Sequence, residues 1–238
     1  STQGYSSAAS DVYKRQIKEL TMFGNLIEYL YIVPAALIAI MLHEIAHGLV
    51  SYWLGDPTPK RQGRLSLNPL KHLDPVGTIC LILFHVGWAK PVVVNPDYYK
   101  KRKLGMALVA LAGPLTNFIV AIVSMIIIGF ILKFANSSLA IFDIINTFLL
   151  ILAIINIGLG VFNLIPIPPL DGSKILGSFL KGQVYEQYMK YQQYGFIILA
   201  LLLLLSSLAG GGVSFISIAV DYITNFFLKI VYIIFGLA

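Results

Sequence analysis

NLIEYLYIVPAALIAIMLHEIAHGLVSYWL, residues 25–54, decides how this chain is read. The stretch is apolar for long enough to cross a bilayer, which takes about 20 residues as a helix. Yet it carries His43, Glu44 and His47 together in HEIAH. An ionisable side chain near mid-span costs about 2.5 to 3.5 kcal/mol on insertion scales, so its presence points to function. On a helix, positions i and i+4 share a face. His43 and His47 can therefore offer two ring nitrogens to one metal ion. Glu44 sits one step round the helix, beside the ion's open position, where it can take a proton from activated water.

The rest of the chain fits a membrane setting. Of its 238 residues, 58% are hydrophobic and 12% charged, against about 25% charged in a soluble domain. The mean hydropathy is +0.82. The net charge of +6 comes from basic residues in short loops between apolar runs, which argues for the membrane surface. A nucleic-acid partner is not expected, because no basic face is interleaved with aromatics on a soluble domain. Cys80 is the single cysteine, so neither an internal disulfide nor a thiolate zinc cluster can form.

Five runs are long enough to span: residues 25–54, 104–132, 139–165, 194–209 and 213–237. A sixth, Pro75 to Trp88, is short and suits a re-entrant or interfacial segment better. The expected fold is an all-α polytopic membrane protein with about five or six transmembrane helices. A re-entrant or β-like surface loop should follow the first helix, because GDPTPKRQGRLSLNPLKHLDP is punctuated by Gly and Pro and contains a brief RLSL alternation. Residues 1–21 are polar and lack the continuous apolar core of a signal peptide. They are expected to be a disordered or non-native tail, with residues 22–238 forming one membrane-embedded domain. Tyr185, Tyr188, Tyr191 and Tyr194 recur every three residues, as in an interfacial aromatic belt or a gating element.

Loop charge sets the orientation. Lys60, Arg61, Arg64, Lys71, Lys90 and Lys100 to Lys103 all fall between the first two long runs. If Pro75 to Trp88 is re-entrant, they are cytoplasmic, and so are Lys174, Lys181 and Lys190. Glu44 lies ten residues before Leu54, about 15 Å of helix. The site is thus expected well below the surface, nearer the cytoplasmic end.

Catalytic zinc takes three protein ligands plus water. His72 and His85 are candidates for the third by type. Asp171, in NLIPIPPLDG (Asn163 to Gly172), is the stronger one. Pro166, Pro168 and Pro169 prevent helix continuation, and Gly172 permits a tight turn, so the carboxylate sits on broken backbone at the end of a span. The alternative is a loop aspartate capping the next helix. The loop Arg61 to Pro75 and the broken Asn163 to Gly172 backbone are expected to wall a polar cavity.

HEIAH on a membrane helix, then GPLTN (Gly113 to Asn117), then NLIPIPPLDG, resembles the site-2 protease family of intramembrane zinc metalloproteases. The likeness extends over nearly everything from Met22 onward. GWAKPVVVNP (Gly87 to Pro96) is similar to the compact prokaryotic branch without PDZ or CBS domains. The resemblance implies one Zn2+ per chain held by His43, His47 and Asp171, with Glu44 as general base. It also implies that Asn163 binds the scissile peptide and its oxyanion, with Asn117 in a supporting role. The implied activity is regulated intramembrane proteolysis of a membrane-protein substrate helix in a prokaryotic cytoplasmic membrane. A metal carrier or sensor would use the same His and Asp residues without needing Glu44, and an inactive scaffold would need no intact HExxH. Neither the substrate nor the oligomeric state is readable from the chain.

Overall fold

A computed structural model describes residues 25–74, 77, 90–134, 139–191, 194–195, 197–199, 201 and 215–237. Six helices of nine or more residues organise them: α1 (Asn25–Trp53), α2 (Arg102–Phe134), α3 (Ala140–Leu164), α4 (Asp171–Phe179), α5 (Gly182–Tyr191) and α6 (Phe215–Phe235). Four of these, α1, α2, α3 and α6, are long and apolar enough to cross a membrane. The expected spans at 25–54, 104–132, 139–165 and 213–237 thus appear as helices with ends shifted by a few residues. Most of the run at 194–209, nearly all of Pro75 to Trp88, and the tail at 1–21 lie outside the described residues.

The sidedness of α2 shows why these helices suit lipid. Leu104, Leu108, Leu111, Leu115, Ile119, Val123, Ile126 and Phe130 form an exposed stripe at helical spacing. The opposite face buries many small or polar residues, Ala112, Pro114, Asn117, Ala121 and Ser124, alongside Val109, Met125 and Ile128. A soluble helix would be reversed, with large apolar residues inside. In a bilayer, small residues let helices approach closely while bulky ones meet acyl chains.

Two compact units divide the chain. One comprises residues 1–39, 118–158 and 215–238. Within it Gly129 meets Val231 and Phe235 of α6, where an added methyl group would lie 2.5 to 2.9 Å from them. The first part of α1 contributes fully buried Ala35 and Ala39 to this unit, and Met125 and Ile157 are its largest fully buried apolar side chains.

The other unit comprises residues 40–117 and 159–214. Here the chain leaves α1 through Leu54–Asp56, and a polar network holds the exit. Fully buried Ser51 donates to Asp56 Oδ2 at 2.8 Å and meets the Tyr99 hydroxyl at 2.7 Å. Asp56 also accepts from the backbone N–H groups of Thr58 (2.9 Å) and Asn95 (2.7 Å). Burial pushes the Asp56 carboxyl up, but these donors outweigh it and hold the group below the usual carboxylate range.

The loop after α1 departs from expectation in one respect. Arg64 to Leu67 is irregular backbone and not a strand. The reason is Arg64 itself, which turns inward, is buried, and donates to the carbonyls of Lys71, Lys90 and Pro91. A guanidinium that ties three carbonyls fixes the loop without a ladder, and it removes Arg64 from the surface charge. Among the tyrosines, Tyr188 bonds to the Pro166 and Ser173 carbonyls at 3.2 and 3.3 Å, and Tyr185 lies 3.8 Å under the Lys103 ammonium. Tyr191 and Tyr194 are exposed.

Candidate metal centre

Three side chains from two helices meet in the second unit. His43 and His47, one turn apart on α1, place their Nε2 atoms 3.0 Å from each other. Asp171 Oδ2, from the first turn of α4, lies 3.2 Å from the first and 3.0 Å from the second. All three residues are buried.

Their outer contacts fix the proton positions. His43 Nδ1 lies 2.6 Å from Asn117 Oδ1, and His47 Nδ1 lies 2.6 Å from the Val109 carbonyl. Both partners are acceptors only, so each Nδ1 carries the proton and each neutral ring presents a lone pair at Nε2. Two lone pairs and a carboxylate oxygen therefore converge, an arrangement suited to holding a cation. The spacing fits zinc. Four ligands at 2.0 to 2.1 Å in tetrahedral array stand about 3.3 Å apart. Imidazoles whose far nitrogens donate to fixed carbonyls are the usual support of a bound metal.

The sequence explains how the pieces reach one place. Gly113 of GPLTN faces the imidazoles, and a Cβ there would lie 2.6 Å from both His43 and His47. Asn117 is one helical turn further on the same face, where it reaches His43. α3 ends at Leu164, and the PIPP segment, with a cis Pro168–Pro169 peptide, turns the chain into α4. A Cβ at Gly172 would collide with the Leu164 carbonyl and lie 2.6 Å from the Ile165 oxygen, so only glycine permits this turn. Asp171 opens α4 without capping it; its carboxylate goes to the histidines and to Lys174. The Lys174 ammonium, 3.0 Å from Oδ1, favours the ionised form of that carboxylate.

A cavity of about 170 Å³ opens beside the three groups. Glu44, Asn163, Lys174, Pro91, Val92 and Val94 are among its lining residues. Glu44 Oε2 accepts from the Val92 N–H at 2.8 Å. Asn163 Nδ2 donates to the Leu159 carbonyl at 2.9 Å. The expected cavity wall is corrected in part: Asn163 and Pro169 do line it, but no described residue of 61–75 does, and Pro91–Val94 takes that place. Arg64 supports that segment from its carbonyl side.

Of the other candidates for third ligand, His72 is buried elsewhere, with Nε2 on the Ser66 carbonyl at 2.8 Å, and is not in the cluster. His85 lies outside the described residues. Sequence reasoning missed Gly113 and Lys174 and gave Asn117 a supporting role without naming His43 as its partner. The signal was available for the first and last, since Gly113 and Asn117 stand at i and i+4 in one motif.

The fold and the site define a class: a polytopic membrane protein with a candidate His, His, Asp metal centre and an adjacent glutamate. Residues 31–206 match Peptidase family M50, and the chain belongs to that family, the site-2 protease family of zinc metalloproteases. It is 39% identical over 173 residues to "Putative zinc metalloprotease YwhC" of Bacillus subtilis, covering 72% of this chain and 79% of that protein. It is 29% identical over 186 residues to "Putative zinc metalloprotease Rip2" of Mycolicibacterium smegmatis, covering 76% and 69%. It is 29% identical over 164 residues to "Zinc metalloprotease MJ0392" of Methanocaldococcus jannaschii, covering 68% of this chain and 38% of that protein. No solved structure matches the chain.

Proposed function

We propose that this protein is an intramembrane zinc metalloendopeptidase that hydrolyses peptide bonds within or near transmembrane segments of membrane proteins. One observation carries the reading: two imidazole lone pairs and a carboxylate converge beside a glutamate-lined cavity, on a helix apolar enough to span. His43, His47 and Asp171 are the ligand set, one zinc per chain. Zinc held there supplies Lewis acidity, polarising a peptide carbonyl and lowering the pKa of water in the cavity toward about 7.

The chain's own groups do the rest. Asn117 and the Val109 carbonyl keep the two Nδ1 protons in place, so both Nε2 atoms remain donors to the metal. The Val92 N–H engages one oxygen of Glu44. The other oxygen, Oε1, takes a proton from water and returns it to the departing amide nitrogen. Asn163 gives one Nδ2 proton to Leu159 and keeps the second for the scissile carbonyl as negative charge develops on it. The substrate helix must unwind to expose its carbonyl, because its amides are otherwise paired within the helix.

The active site lies nearer the cytoplasmic side of a prokaryotic cytoplasmic membrane, and residues 22–238 act as one membrane-embedded domain. The basic loops between α1 and α2 support this orientation. A candidate membrane substrate co-expressed with wild type and with Glu44→Gln tests the reading. Wild type should cleave it, and Glu44→Gln should retain zinc and lose cleavage. Equal cleavage by a zinc-loaded Glu44→Gln protein would refute it.

A further inference from the structure

Asp171 has two carboxylate oxygens, and only one of them faces the histidines. Oδ2 lies within 3.2 Å of both Nε2 atoms. Oδ1 lies 3.0 Å from Lys174 Nζ. Lys174 is one helical turn along α4, and its side chain also lines the cavity beside Glu44 and Asn163. The ammonium is the single cationic group among the described cavity-lining residues, which otherwise include two acidic groups, Glu44 and Asp171.

We propose that Lys174 is a positioning residue of the metal centre: it occupies Asp171 Oδ1, so that the carboxylate meets the metal through Oδ2 alone. The inference rests on the zinc reading above and extends it to a residue outside the ligand set. A free carboxylate can chelate a cation through both oxygens. A charge-assisted bond to one oxygen disfavours that mode and fixes the direction of the other. The consequence is chemical. A metal with three single-atom protein ligands keeps an open position, whereas a chelating carboxylate would fill it. The ammonium also offsets one negative charge in a cavity that must admit a polar peptide backbone. Lys174 acts through Asp171 and needs no contact with substrate to do so.

The side chain of Lys174 is 43% exposed, so its removal should leave the fold intact. Lys174→Met removes the charge and keeps the length; Lys174→Arg keeps a cationic donor. Three readouts on purified, detergent-solubilised full-length protein apply: zinc affinity by chelator competition, the visible spectrum of the cobalt-substituted protein, and melting temperature without metal. Lys174→Met should bind zinc about 10- to 100-fold more weakly, the range for losing a group that orients a ligand. Its cobalt absorption should weaken as the coordination number rises. Lys174→Arg should stay within about threefold of wild type, and all three proteins should melt alike without metal. The inference is overturned if Lys174→Met binds zinc within threefold of wild type with an unchanged cobalt spectrum. It is equally overturned if Lys174→Arg loses as much affinity as Lys174→Met, or if Lys174→Met melts lower without metal. Wild type that binds no zinc would sink the metal reading and this inference together; wild type that binds normally while Lys174→Met matches it sinks this inference alone.

Discussion

Gly113 has no side chain where two imidazoles occupy the space that one would fill. A methyl group there, 2.6 Å from both rings, must push at least one histidine off its Nδ1 partner. Gly113→Ala should therefore lower zinc affinity at least tenfold, comparable to the loss of a group that orients a ligand. Chelator competition checks it, and wild-type affinity in that variant would show that the rings can shift freely. Asn117→Ala removes the acceptor for the His43 Nδ1 proton. Metal affinity or cleavage should fall about 10- to 100-fold, while Asn117→Asp, which keeps an acceptor, should fall less. At this scale the clustered histidines were legible because helical spacing and an unlikely setting single out HEIAH. The support was not, because a backbone carbonyl such as that of Val109 has no sequence signature, and a glycine reveals its role only when its neighbour is known.

The connection between α1 and the extended Pro91–Asn95 segment depends on Asp56. Its carboxylate joins Ser51 at the end of α1 to Thr58 and Asn95 in the following loops. Asp56→Ala strands these donors in a buried place, and should cost about 2 to 4 kcal/mol, read as a lower melting temperature in detergent. The acid dependence has a definite sign. The folded pKa lies below the ordinary 3.8, so ionised Asp56 contributes stability in full above about pH 4, and the contribution fades as pH falls through the folded value. Asp56→Ala should flatten that part of the acid-denaturation curve; a curve unchanged from wild type would contradict the assignment. Long helices were readable as elements because twenty apolar residues have few other uses. RLSL was misleading, since its alternation is outweighed by Arg64, whose guanidinium finds three carbonyls. Those carbonyls lie up to 27 positions away, beyond the reach of local pattern.

Along α2 a stripe of large apolar side chains points outward while Pro114, Asn117 and Ser124 are kept within. An exposed apolar stripe over a partly polar buried face suits a bilayer. Ile119, 51% exposed near the middle of α2, should tolerate Phe. Ile119→Asp should raise the insertion cost by roughly 3 kcal/mol, visible as a sharp drop in membrane-integrated protein, and undiminished insertion would argue against a lipid-facing stripe. The orientation is testable separately: a cysteine replacing exposed Lys60 or Lys101, in a Cys80→Ser background, should react with an impermeant thiol reagent only from the cytoplasmic side. The class of fold was legible from composition and run length. The meeting of His43, His47 and Asp171 was expected from the motifs, whereas the place of Gly113 against the imidazoles was not, because it depends on how closely α2 approaches α1.

The central claim is that one zinc ion is shared between HEIAH and Asp171. Metal analysis of purified wild type, His43→Ala, Asp171→Ala and His72→Ala tests it most directly. Wild type and His72→Ala should carry one zinc per chain, and His43→Ala and Asp171→Ala should carry little or none. An Asp171→Ala protein that keeps its full zinc, or a His72→Ala protein that loses it, would contradict the account.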